Sequence, residues 1–157
     1  MSAPVPPGTS LSAMYQERIL AHYRAPLGRA LPTGPAVRVG ARRNPLCGDD
    51  IRVGVVIDGD RVIDVGFDGR GCSITTASAS MLTVAIRGRT LQGVHTLRDL
   101  IEQLLHGVSI PAESLPGDLP ALSGVARYPQ RVGCARMPWQ ALTDALTAVP
   151  TPVARPR

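Results

Sequence analysis

The chain has 157 residues, 44% of them hydrophobic, and a formal net charge of +5, which suits a single folded domain with a real core. Its 17 basic residues are all arginine, scattered so that only Arg42 and Arg43 are adjacent, and aromatics make up 3%; a nucleic-acid surface, which needs a basic face and stacking rings, is disfavoured, and an acidic protein partner fits better. No apolar run approaches the roughly 20 residues of a membrane span, and Met-Ser-Ala-Pro-Val-Pro-Pro-Gly lacks the segments of a secretory signal, so a cytoplasmic location is expected.

Residues 1–10, rich in Pro, Gly and Ser, read as a disordered tail. Ser12 is a candidate N-cap for a helix to about Arg24, with Met14, Tyr15, Ile19, Leu20 and Tyr23 as its apolar side, ended by Pro26 and Gly28. A loop over residues 30–35 leads to a short strand at Val37 and Val39. Ile51 to Ile57, the Asp58-Gly59-Asp60 turn and Val62 to Phe67 form a hairpin. In the second arm Ile63, Val65 and Phe67 share one face, and Val62, Asp64 and Gly66 the other.

Helical patterns take over from Ser73. One runs to Ile86 and stops at Gly88; a second spans Thr90 to His106, with Leu97, Leu100, Ile101, Leu104 and Leu105 at helical spacing, and Gly107 ends it. Ile110 to Pro120 is a proline-rich loop and residues 121–126 a short helix. Pro138 suits the first turn of a last helix to about Val149, after which residues 150–157 fray. The expectation is one α+β domain over residues 11–149, a small antiparallel three-stranded sheet with several helices packed on one side.

Three cysteines form an odd set, which argues against a disulfide framework. Inert buried thiols, a reactive nucleophile and metal ligands all remain open. Cys47-Gly48-Asp49 precedes a strand, Cys72 follows Gly69-Arg70-Gly71 and opens a helix, and Cys134 lies just upstream of the last helix. Such junctions are where a scaffold holds functional side chains. Gly48 and Gly71 would let the backbone turn tightly beside the cysteines, and the N-terminus of a helix favours thiolate at Cys72. With Asp49 the three thiols offer four donors, the number tetrahedral zinc takes, and three sulfurs leave zinc or iron as the metal. The separations of 25 and 62 residues match no zinc-finger spacing, so three unrelated cysteines fit the spacing equally well.

Several segments in order resolve that balance. Residues 44–49 (Asn-Pro-Leu-Cys-Gly-Asp), 69–74 (Gly-Arg-Gly-Cys-Ser-Ile) and 77–81 (Ala-Ser-Ala-Ser-Met), with 19–26 and 128–135, closely resemble the IscU/NifU-like proteins of iron–sulfur cluster assembly, and the matches run from about Tyr15 to Leu146. Within that family the chain is similar to the SufU branch. Gly133 occupies the place of the histidine before the third cysteine in IscU scaffolds, residues 128–132 replace their chaperone motif, and the stretch around 110–120 matches the SufU insertion.

The resemblance implies a zinc-dependent sulfurtransferase with Cys47, Asp49, Cys72 and Cys134 as ligands. Cys47 would accept persulfide from a cysteine desulfurase of the SufS type, and Asp49 would gate the site. The sulfur would pass to downstream cluster-assembly proteins, with no nucleic acid or membrane involved and the chain a monomer or weak homo-oligomer. Arg131, three residues before Cys134, is a candidate to offset the site's negative charge; a surface arginine or partner contact fits that position as well. The alternatives are a scaffold holding iron or a [2Fe–2S] cluster on the same ligands, and a structural zinc module that mediates protein contacts. His22 is expected to pack or dock a partner, and His95 and His106 to be surface or capping residues.

Overall fold

The computed structural model describes residues 11–46 and 48–154; Cys47, the expected tail 1–10 and residues 155–157 lie outside them. Helix α1 (Leu11–Arg24) precedes strands β1 (Arg38–Asn44), β2 (Asp49–Asp58) and β3 (Arg61–Arg70). Helices α2 (Ser73–Ile86) and α3 (Leu91–Leu105), two 3-10 segments (Ala112–Ser114 and Leu119–Arg127) and α4 (Pro129–Thr147) complete the chain. The strands form one antiparallel sheet in the order β1-β2-β3. This is the expected α+β class, with the helices on one face.

The helix-facing side of the sheet follows from strand alternation. Ile51, Val53 and Val55 of β2 and Val65 and Phe67 of β3 are buried together with the apolar sides of the helices. Val53 pairs with Phe67 on one side and Gly40 on the other. At Gly40 the absent side chain matters most: a Cβ there would lie 1.9 Å from the Ala141 carbonyl oxygen of α4. The β1 residues on either side of it fasten the same helix. Arg42 makes two hydrogen bonds to the Asp144 carboxylate, at 2.7 and 3.1 Å, and Arg38 donates to Ala148 O.

The opposite face is covered by the connector after α1, whose Leu31 and Pro32 approach Gly54. That connector also reaches the outer edge of β3, where Phe67 N donates to Gly28 O. Farther along this edge Val62 N donates to Arg89 O, and Gly88 N donates to Val62 O.

The structure departs from the sequence expectation at several places. Ile57 pairs with Val62 while Val56 pairs with Asp64, so Ile63 is an extra, unpaired residue. This bulge reverses the alternation: Val62 is fully buried and Ile63 is 52% exposed, the opposite of the expected facing. The last helix starts at Pro129, not near Pro138, and Pro138 lies inside it. Pro129 takes the favoured first position, and a long buried stripe including Ala135, Trp139, Leu142 and Ala145 outweighs the interior proline. The described part of the stretch expected to fray is tied down as far as Val153: Thr151 N donates to Val37 O, and Gly34 and Val153 exchange two backbone hydrogen bonds.

Two substitutions test this packing. Gly40→Ala must push α4 off the sheet and is expected to cost about 3 kcal/mol. Gly133→Ala, on α4 with nothing within 4 Å of the added Cβ, is expected to stabilise by about 0.5–1 kcal/mol. Urea unfolding of both metal-free variants measures the difference.

Candidate metal centre

Three elements deliver the site. Gly48, with φ of +75°, closes the turn between β1 and β2 and donates its N–H to Asn44 O. Asp49 then opens β2 on the helix-facing side, only 4% exposed. Cys72 is the N-cap of α2, and its carbonyl accepts the first helical hydrogen bond from Thr76 N. Cys134 is on the second turn of α4 and 4% exposed. It belongs to the helix, where the sequence placed it upstream, so its direction is set by α4 packing.

One ligand atom each from Asp49, Cys72 and Cys134 lies within 4.8 Å of the others. Cys47, the fourth expected donor, is outside the described residues; its neighbour Leu46 is 96% exposed. Asp49 has no basic partner among the described residues. Arg131 is exposed on the first turn of α4, one turn before Cys134, and forms no ion pair among the described residues.

The sequence reading missed Thr75. This fully buried residue, one helical turn beyond Cys72, donates its hydroxyl to Asp49 Oδ2 at 2.7 Å and lies 3.4 Å from Cys72 Sγ. Its only sequence signal was its position three residues after a helix-opening cysteine. Gly71 makes room for it: a Cβ there would come within 2.7 Å of Thr75 Cγ2. Space, and not the tight turn expected from the sequence, is its role. A turn farther along α2, Ser78 Oγ donates to Ala135 O at 2.7 Å and accepts from Trp139 Nε1 at 3.1 Å, which fixes α4 beside α2 next to Cys134.

The electrostatics suit a cation. Burial pushes the Cys134 thiol up to about 11, the anionic forms of Cys72 and Asp49 push the same way, and the Thr75 hydroxyl offsets part of this. A divalent ion between the donors would reverse that repulsion, and a sulfur-rich set with one carboxylate suits zinc or iron over magnesium or calcium. Beside the Gly48 turn an open cleft of about 660 Å³ is lined by Arg43, Asp50 and Arg70 among others. Asp50 pairs across the sheet with both arginines, leaving this mouth net positive. His22 is not near this site in its bonding: it is buried between Ser80 Oγ at 2.7 Å and Asp118 Oδ2 at 2.9 Å.

Comparison with known proteins agrees with this architecture. Residues 14–147 match the family model described as NifU-like N terminal domain. The zinc-dependent sulfurtransferase SufU of Bacillus subtilis is 36% identical over 133 residues, covering 85% of this chain and 89% of that one. The iron–sulfur cluster assembly scaffold protein IscU of Streptococcus pyogenes is 34% identical, covering 88% and 86%. A crystal structure from Fervidobacterium islandicum AW-1, assigned as an iron–sulfur cluster assembly scaffold protein for the SUF system, superposes with a TM-score of 0.74 at 28% identity, covering 88% and 100%.

Two outcomes are expected of the metal-free protein. Ser78→Ala leaves the buried Trp139 N–H and Ala135 carbonyl without their partner and should cost about 1–3 kcal/mol, read by chemical denaturation. Because folding raises the Cys134 pKa, that residue's contribution to stability is fully present below the ordinary thiol value and is lost as pH rises toward 11; thermal melts from pH 7 to 11 should show the decline, and Cys134→Ala should flatten it.

Proposed function

The chain belongs to the NifU-like N-terminal domain family, and from that premise we propose that it is a zinc-dependent sulfur-transfer protein of iron–sulfur cluster assembly. It takes persulfide sulfur from a cysteine desulfurase, with zinc held by Cys47, Asp49, Cys72 and Cys134. The observation that carries this reading is the convergence of Asp49, Cys72 and Cys134 with glycine, not histidine, at position 133. The similarity to a protein named as a zinc-dependent sulfurtransferase supports it.

Bound there, zinc keeps thiols deprotonated at neutral pH and tempers their nucleophilicity. Cys47, released as a thiolate, attacks the outer sulfur of the donor's persulfide. A new S–S bond forms at Cys47, the donor's S–S bond breaks, and the donor cysteine departs as a thiolate. Asp49, the one oxygen donor and two residues from Cys47, is the ligand suited to gate this exchange. The arginines of the cleft, Arg43 and Arg70, and the exposed Arg131 suit an acidic face of the desulfurase, which brings the donor persulfide to the turn. A later thiol acceptor in cluster assembly removes the sulfur by the same exchange. This work belongs in the cytoplasm and needs no more than a monomer or weak homo-oligomer. Among the described residues no helix is long and apolar enough to cross a membrane.

A second reading, a scaffold for a [2Fe–2S] cluster, draws support from the 34% identity to a protein named IscU. Anaerobic reconstitution with iron and sulfide separates the two: a stable, transferable cluster favours the scaffold, and retained zinc favours the relay. A purely structural zinc module is disfavoured by the carboxylate among the donors, since closed structural sites are built from Cys and His. In a desulfurase assay, addition of the zinc-loaded chain should raise turnover and chelated protein should not; absence of stimulation would sink the sulfur-transfer reading. Cys47→Ser is expected to abolish the stimulation, and full retention would remove Cys47 as acceptor.

A further inference from the structure

Building on the metal-centre reading, we propose that the Thr75 hydroxyl is a positioning group that fixes how Asp49 is presented to the metal and thereby sets how readily that ligand lets go. A hydroxyl has one proton to give. Thr75 gives it to Asp49 Oδ2 at 2.7 Å, so toward Cys72 Sγ, at 3.4 Å, the oxygen is at most an acceptor. With Cys72 as a metal-bound thiolate no proton would remain on that sulfur, and Asp49 Oδ2, at 2.7 Å, is the short-range acceptor of the Thr75 proton, although the Cys134 thiol also lies within the hydroxyl's influence. Oδ2 is held by α2, which would leave Oδ1 as the freer donor atom for a metal. A carboxylate held in this way would favour single-oxygen ligation and would be restrained from turning both oxygens to an ion.

The surroundings make this a built arrangement. Thr75 is fully buried and Asp49 4% exposed, so water is poorly placed to replace the hydroxyl. No other side-chain hydrogen bond to Asp49 occurs among the described residues. Gly71 supplies the space, since any Cβ there would crowd Thr75 Cγ2. Groups that hold a metal ligand from behind typically change affinity about 10–100-fold when removed. Here the ligand affected is Asp49, two residues from Cys47 in sequence, so the restraint acts on the ligand proposed above to gate the exchange.

The test compares wild type, Thr75→Val, Thr75→Ser and Asp49→Ala, each loaded with zinc or cobalt(II). Zinc release to a chromophoric chelator and the visible absorption of the cobalt form are the readouts, with thermal unfolding of the metal-free proteins as the check on folding. Thr75→Val is expected to release zinc about tenfold faster or more and to alter the cobalt spectrum, while Thr75→Ser, which keeps the hydroxyl, stays near wild type. In the Asp49→Ala background Thr75→Val should add nothing.

Unchanged release and spectrum in Thr75→Val would overturn the proposal. So would a Thr75→Ser protein as leaky as Thr75→Val, or full additivity with Asp49→Ala. If Thr75→Val does not fold, Gly71→Ala keeps every donor but displaces Thr75; faster release supports the assignment, and wild-type release overturns it. A wild-type chain that binds neither zinc nor cobalt overturns the metal centre itself, a failure distinct from that of Thr75.

Discussion

The constraint on which the structure depends is the burial of α2 on nearly every side. From Thr75 to Thr83 every residue of this helix is buried, and small side chains let α1, α4 and the sheet approach it closely. Five of those nine residues carry hydroxyls, and a buried hydroxyl without a partner is costly. Each must therefore reach outward or back to its own turn. Thr75 binds Asp49, Ser78 binds Ala135 O and Trp139, Ser80 receives Leu27 N and contacts His22, and Thr83 donates to Leu27 O and Ser80 O. A central helix of Ala, Ser and Thr thus becomes a set of fixed anchor points for the elements around it.

The candidate metal centre is assembled along one line of that helix. Cys72, Thr75 and Ser78 follow at spacings of three residues, which places them near one face. The first is a candidate donor, the second holds the candidate donor from β2, and the third holds the helix that brings Cys134. Chain segments far apart in sequence are brought together by hydrogen bonds that originate on a single element. A cation there would offset the repulsion, since Cys134 is driven toward its neutral form while Cys72 and Asp49 crowd it.

Much of this was legible in the sequence wherever a local signal existed. The hairpin followed from Asp58-Gly59-Asp60, and the ends of α2 and α3 from Gly88 and Gly107, both of which have positive φ. The candidate donors were named through motif resemblance and not through spacing. The failures have a common character. The bulge at Ile63 depends on which residues pair across strands, which no single segment specifies. Pro138 was read by its usual place at a helix start, whereas the buried face of α4 carries the helix through it. Thr75 and Ser78 resembled ordinary helix-filling residues, because a hydroxyl's role is set by the partner that tertiary packing brings to it.

The hydrogen bonds along the outer rim of β3 carry one more consequence. A bare strand edge invites a second polypeptide to lie down as an additional strand, recognised mainly through its backbone and largely indifferent to sequence. Here the amides of Val62 and Phe67 already point to Arg89 O and Gly28 O, so β3 has little backbone left to offer a visitor. Recognition on that flank must be written in side chains, which makes it selective by residue identity and sensitive to single substitutions and salt.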